Sequence, residues 1–213
     1  MNQLSFNAAS LLFTILMFAF TNRSAAQGPA GGVPGANLAV VETSMGTFEI
    51  DLYAADAPRT VENLIKLAAR KYFDGVRFHR VVRNFVIQTG DPNSKDKKKV
   101  EVWGQGGESA WGKEFADELN PNTPSYKAGY MKGVVAMANK GPNTNTSQFF
   151  IMLRDNTTLP KNYTIFGKVV KGMDVVEKIG QVEIDPQPDG RPKVDVVVKK
   201  IRIMHSGGPA PKK

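Results

Sequence analysis

Between Thr47 and Tyr53, Phe48, Ile50 and Leu52 alternate with Thr47, Glu49 and Asp51, the period-two pattern of a strand with one buried face. Leu38–Thr43 precedes it across Ser44-Met45-Gly46, so the pair reads as an N-terminal β-hairpin. Pro58 then suits the first position of a helix, and Val61, Leu64, Ile65, Ala68 and Tyr72 recur at helical spacing before Gly75. Strand patterns resume at Val76–Val82, Phe85–Gln88, Gly133–Met137, Gln148–Leu153 and Thr164–Val170. A short helix follows at Met173–Ile179, and Val194–Met204 reads as a closing strand. The stretch from Asp91 to Lys132 is too polar and glycine-rich for core, and long loops in compact domains are usually functional. About eight strands and two helices predict a mainly β fold, a closed eight-stranded antiparallel barrel capped by two α-helices. Closure would remove exposed sheet edges.

Leu11–Phe20 is apolar apart from Thr14 and leads to Ser24-Ala25-Ala26, the order of a secretory signal cleaved after Ala26. Only the terminal amine supplies positive charge ahead of it. The competing reading is an uncleaved anchor, although Leu4–Phe20 is short for a span and contains Asn7. Residues 27–37 contain Gly-Pro-Ala-Gly-Gly-Val-Pro-Gly, the composition of a flexible spacer. The same holds for residues 206–213, so the folded domain is expected over 38–205. The protein is then expected outside the cytoplasm, and on a membrane only if the N-terminal segment is retained.

The chain has no cysteine, which excludes disulfides, thiolate nucleophiles and cysteine-held metals. Its two histidines, His79 and His205, lie far apart without a matching carboxylate pattern, so no metal site is expected. A net charge of +8 raises the question of nucleic acid or anionic membranes. The excess is scattered apart from Lys95, Lys97, Lys98 and Lys99 in one loop, and no basic helix with interleaved aromatics is present. A solvated surface is the better reading, and no nucleic-acid partner is expected. Gly106-Gly107 is not a phosphate loop, because no strand precedes it and no Lys-Ser/Thr follows.

Chemistry concentrates in two segments. In Phe78-His79-Arg80-Val81-Val82-Arg83-Asn84-Phe85-Val86-Ile87-Gln88-Thr89-Gly90-Asp91, alternation puts Phe78, Arg80 and Val82 on one face, with His79 and Val81 on the other. An arginine in a strand is by itself usually solvated or ion-paired. The second segment, Met137-Ala138-Asn139-Lys140-Gly141-Pro142-Asn143-Thr144-Asn145-Thr146-Ser147-Gln148-Phe149-Phe150-Ile151, joins two strands through a run of turn residues. Phe149 should face the core and Phe150 the opposite side. Trp103 and Trp111 read as loop anchors, and His205 as inert.

Together these segments resemble the cyclophilin family in order and approximate spacing. The similarity continues through Gly106-Gly107-Glu108-Ser109 and Phe166-Gly167-Lys168-Val169, across essentially the whole domain. The resemblance implies a peptidyl-prolyl cis–trans isomerase, here an exported, bacterial-like member assisting the folding of proline-containing clients. It implies Arg80 as the catalytic group. Phe85, Val86, Phe150 and Leu159 would line the pocket for the proline ring, and Gln88 and Asn139 would bind the substrate backbone. Ala138 and Gln148 would form the groove wall, with His79 close by and Tyr163 where many relatives carry histidine. No cofactor is implied, and a monomer is expected. Thr158 or Leu159 stands where many relatives carry a tryptophan on which cyclosporin binding leans, so weak inhibition is expected. Val86 replaces a usual methionine, and Lys140 and Thr146 replace smaller residues. A proline-peptide-binding chaperone with incidental turnover is the alternative, and a basic surface adaptor a weaker third.

Overall fold

The structure, a computed structural model, describes residues 36–186 and 190–205. The expected signal segment, most of the spacer and the tail from residue 206 lie outside the described residues. The backbone forms strands β1 (Ala36–Thr43), β2 (Gly46–Leu52), β3 (Arg80–Val82) and β4 (Val86–Thr89). It continues as β5 (Val134–Met137), β6 (Phe149–Met152), β7 (Ile165–Lys171) and β8 (Val198–His205). Helix α1 spans Pro58–Ala69, the short α2 Pro124–Ala128 and α3 Met173–Gly180. Strand β1 starts inside the stretch read as spacer, because its pairing with β8 runs on to Ala36 opposite His205.

One antiparallel sheet runs in the order β3-β4-β6-β5-β7-β2-β1-β8. It is an open, curled half-barrel rather than the closed barrel expected from the pattern. The end strands β3 and β8 share no ladder, because β3 has only three residues and the backbone N–H of Val81 is taken by Gly190 O at 2.8 Å. The seam is crossed just outside those strands by an isolated Arg77–Val197 bridge and by Phe78 N–H to Val196 O at 2.9 Å. Asp195 adds side-chain stitches to Arg77 at 3.1 Å and to Lys97 at 2.7 Å. Unpaired edge groups are thereby covered without a continuous ladder.

The hairpin turn is tight. Thr43 Oγ1 donates to Gly46 O at 2.7 Å, and Gly46 takes φ +134°, where a side chain would be strained and would meet Val175. Helix α1 begins on Pro58, with Val61, Leu64, Leu67 and Ala68 turned into the core. Its N-cap is Ala57, which has no capping side chain. Glu118, far along in the long loop, supplies the cap instead: its carboxylate accepts from Arg59 N at 3.0 Å and Thr60 N at 2.8 Å. A carboxylate there satisfies orphan donors and meets the positive end of the helix dipole. Tyr72 falls beyond the helix and shares a hydrogen bond with Ser147 at 3.0 Å.

The sheet buries both faces in its central part. Ile87, Val135, Met137, Phe149 and Ile151 point inward to the main core, where Phe149 meets Phe73 and Phe166 edge-on. Their neighbours Val86, Val134, Ala136, Phe150 and Met152 point outward into a second apolar cluster with Tyr130 and Ile165. That second cluster carries the site. The segment before β3 breaks the expected alternation: residues 76–79 are not continuous strand, and Phe78 turns into the main core beside Val81.

Candidate active site

Arg80 lies opposite Gln88 in the β3–β4 pair, and Gln88 lies opposite Phe150 in the β4–β6 pair. Three adjacent strands thus set a cation, an amide and an aromatic ring side by side. Val86, two residues before Gln88, falls on the same face. Phe85 joins from the β3–β4 turn, where its N–H bonds Val82 O at 3.0 Å. Ala138 and Asn139 follow β5, and Leu159 and Tyr163 come from the segment between β6 and β7. These residues line one open cavity of about 250 Å³. Phe150 and Tyr163 form its corner, with ring centroids 5.5 Å apart and nearly perpendicular.

The half-buried Arg80 donates from Nη1 to Gln88 Oε1 at 3.3 Å. Gln88 is the sole hydrogen-bond partner of that guanidinium among the described residues, and no carboxylate pairs with it. Its remaining donors are therefore available to the cavity. Gln88 Nε2 donates in turn to Gln148 Oε1 at 2.9 Å, and Gln148 Nε2 to Gly104 O at 2.9 Å. The relay ends on backbone that the fully buried Asp91 also holds, through the N–H groups of Gly104 and Gly106. Gly90 permits this packing: at φ +98°, a Cβ there would lie 2.2 Å from Ser147 O. Asn139 ties the opposite rim, donating from Nδ2 to Asn162 O at 2.9 Å. Its side chain is thus engaged, whereas its backbone N–H and C=O make no hydrogen bond among the described residues.

Two expected substrate contacts sit elsewhere. Gln148 lines a second, more polar cavity of about 290 Å³, bounded by Gly104–Ser109 and Lys140 and sharing Gln88, Ala138 and Asn139 with the first. Lys140 spans its mouth, donating to Gln105 O at 2.8 Å. His79 reaches neither cavity: it is 4% exposed and lies under Gly104. The chain is irregular there, so its imidazole turns inward instead of to the rim. Burial is the main force lowering its pKa to about 4, against the opposing pull of the Asp91 carboxylate. Neither ring nitrogen makes a hydrogen bond of normal geometry, although the Arg77 backbone and the Gln148 amide are near enough to offset part of that cost. Trp103 and Trp111 anchor loops, Trp103 by donating to Asp96 O at 3.1 Å and Trp111 beneath the Arg59 guanidinium at 4.6 Å.

The sequence patterns did not single out Tyr130, Asn156 or Asp91, which hold site segments in place, or Glu118, which caps α1. Tyr130 is 2% exposed, and burial pushes its hydroxyl up to about 12, so it stays protonated. Asn-x-Thr-Leu at Asn156–Leu159 was a legible local turn signal, since Asn156 Oδ1 accepts from Thr158 N and Leu159 N. The other three act over long sequence separations that no local pattern reports.

A sequence model of the family described as cyclophilin type peptidyl-prolyl cis-trans isomerase/CLD matches residues 38–203. The chain belongs to the cyclophilin family. Peptidyl-prolyl cis-trans isomerase-like 1 of Neurospora crassa is 43% identical over 164 residues, covering 77% of this chain and 92% of that relative. The Arabidopsis thaliana peptidyl-prolyl cis-trans isomerase CYP18-2 is 40% identical over 176 residues, covering 83% and 97%. A Cryptosporidium parvum cyclophilin crystal structure superposes with a TM-score of 0.71 at 30% identity, over 82% of this chain and 99% of that one. The same parasite protein in the presence of the dipeptide Ala-Pro gives 0.69. These relatives are eukaryotic, so the expected bacterial-like character finds no support among them. The activity of this cyclophilin is peptidyl-prolyl cis–trans isomerisation.

Proposed function

We propose that Arg80 drives rotation about X–Pro bonds by donating a hydrogen bond to the prolyl nitrogen, with the ring seated against Phe85, Val86, Phe150 and Leu159. The observation that carries this reading is a guanidinium with one weak internal partner and no carboxylate, at the edge of an apolar cavity. An X–Pro bond resists rotation by about 20 kcal/mol because nitrogen donates its lone pair into the carbonyl. At the twisted transition state that conjugation is lost, nitrogen becomes pyramidal, and its lone pair accepts a hydrogen bond. In either planar state it cannot. The donor therefore binds the transition state in preference to the ground states, which is what lowers a barrier. Arginine suits the role because it stays charged and its planar fork can be aimed by one hydrogen bond, here donated to Gln88.

The unpaired backbone groups of Asn139 supply a short stretch on which the substrate chain can pair, fixing one side of the rotating bond. The apolar wall holds the ring while the preceding carbonyl swings. Clients are proposed to be exported proteins, on the strength of the Leu11–Phe20 run and the Ser24-Ala25-Ala26 sequence that follows it.

The test is an isomerisation assay on Arg80→Ala alongside the wild type. An undiminished rate in the variant overturns the assignment of Arg80. Lost isomerisation with full retention of client refolding would instead favour a peptide-binding chaperone. N-terminal sequencing of protein recovered outside the cytoplasm should begin at Gln27, and an intact Met1 terminus there would overturn cleavage.

A further inference from the structure

Leu159 and Tyr163 lie in the connection over residues 153–164, which contains no helix or strand. Their positions depend on contacts from outside that connection, and one residue supplies contacts to both. Tyr130, just before β5, has a hydroxyl that accepts from Tyr163 N at 2.9 Å and donates to Tyr163 O at 2.9 Å. A hydroxyl can do both at once, which neither a phenyl ring nor an ammonium can. Its ring packs 6.2 Å from Tyr163 and 6.5 Å from Phe150, the two rings that form the corner of the apolar cavity. At the other end, Tyr130 O accepts from Asn156 N at 2.9 Å in an isolated antiparallel bridge. Asn156 Oδ1 then receives Thr158 N at 3.0 Å and Leu159 N at 2.9 Å.

We infer that Tyr130 is a positioning residue that fixes the width of the apolar cavity by holding Tyr163 with its hydroxyl and Leu159 through Asn156. The inference rests on the reading of that cavity as the seat of the proline ring. Tyr130 is buried and lies outside the cavity lining, so it acts through these neighbours rather than on substrate. The Arg80–Gln88–Gln148 relay approaches from the opposite wall and makes no hydrogen bond to it. Ring binding and barrier lowering are thus separable. The connection keeps other tethers, Asn139 to Asn162 O and Lys161 to Tyr126 O, so release by Tyr130 widens the wall without freeing it.

Tyr130→Phe removes the hydroxyl and keeps the ring. Steady-state isomerisation of an Ala-Ala-Pro-Phe anilide should show KM raised about fivefold, the scale of one net hydrogen bond. Its kcat should stay within about twofold, because uniform binding alone is lost. The dissociation constant of an Ala-Pro peptide, by calorimetric titration, should rise with KM. Asn156→Ala should act in the same direction through Leu159, and a melting curve should confirm that each variant is folded. A fall in kcat at unchanged KM, or no movement of either constant in both variants, overturns the inference. If Tyr130→Phe does not fold, Asn156→Ala decides by the same criteria. A wild type that fails to bind Ala-Pro peptides, or an unchanged affinity in Phe150→Ala, would instead overturn the reading of the cavity itself.

Discussion

Arg80, Val86, Gln88 and Phe150 reach the apolar cavity from paired strands, whereas Leu159 and Tyr163 reach it from a connection with no ladder of its own. The strand-borne wall inherits its geometry from the sheet. Register fixes which side chains are neighbours, and inward partners such as Phe149 and Ile151 lock the backbone from behind. The other wall is held by single hydrogen bonds and ring contacts from Tyr130, Asn139 and Asn156. The donor proposed for rotation sits with Val86 and Phe150 on the more rigid, strand-borne wall, and Leu159 completes the proposed seat of the proline ring from the other.

The largest expected effect tests the rigid wall directly. Arg80→Ala should lower kcat/KM by about a hundredfold or more, the scale of losing one preorganised donor in a transition state. Affinity for an Ala-Pro peptide should change far less, which titration will measure. Arg80→Lys should recover little, because a flexible ammonium is not aimed by Gln88 as the guanidinium is.

Next comes the contrast in stability between the walls. Phe149→Ala, behind the strand-borne wall, should cost about 3–5 kcal/mol in chemical denaturation through the cavity it leaves. Leu159→Ala, half-buried on the connection, should cost only about 1 kcal/mol while raising KM. Equal losses would erase the difference between the two walls.

His79 sharpens the picture from beneath the Gly104 segment. Its folded pKa of about 4 lies below the unfolded value of 6.5, so the unfolded chain binds the extra proton first. Its stabilising contribution is complete above about pH 6.5 and is lost as pH falls toward 4, amounting to about 3 kcal/mol. His79→Gln should flatten that part of the stability profile measured by urea unfolding.

A smaller effect is expected at Glu118. Glu118→Ala should cost about 1–2 kcal/mol by uncapping α1, read as a lower melting temperature. Activity should be nearly preserved, since α1 lies outside the cavity. The smallest expected response is to cyclosporin, because by the family resemblance Thr158 or Leu159 stands where many relatives carry the tryptophan on which the drug leans. Titration should give weak inhibition, and tight stoichiometric inhibition would contradict this.

The sequence determined the elements whose order is local. The period-two runs placed the strands to within a few residues, and the pair of segments Phe78–Asp91 and Met137–Ile151 marked the strand-borne wall. That Phe149 and Phe150 face opposite sides followed from alternation, because successive side chains on a pleated strand must do so, and the structure turns Phe149 to the main core and Phe150 to the site. Only the tertiary structure decided that the sheet stays open between β3 and β8, since a three-residue strand and the intrusion of Gly190 are not readable as a pattern. It also decided that His79 turns inward, where the strand stops short. The hold of Glu118 on α1, of Asp91 on Gly104 and of Tyr130 on Tyr163 joins residues 13 to 59 positions apart. Sequence periodicity records which face of an element is buried; it carries no record of which distant side chain arrives to satisfy a given backbone group.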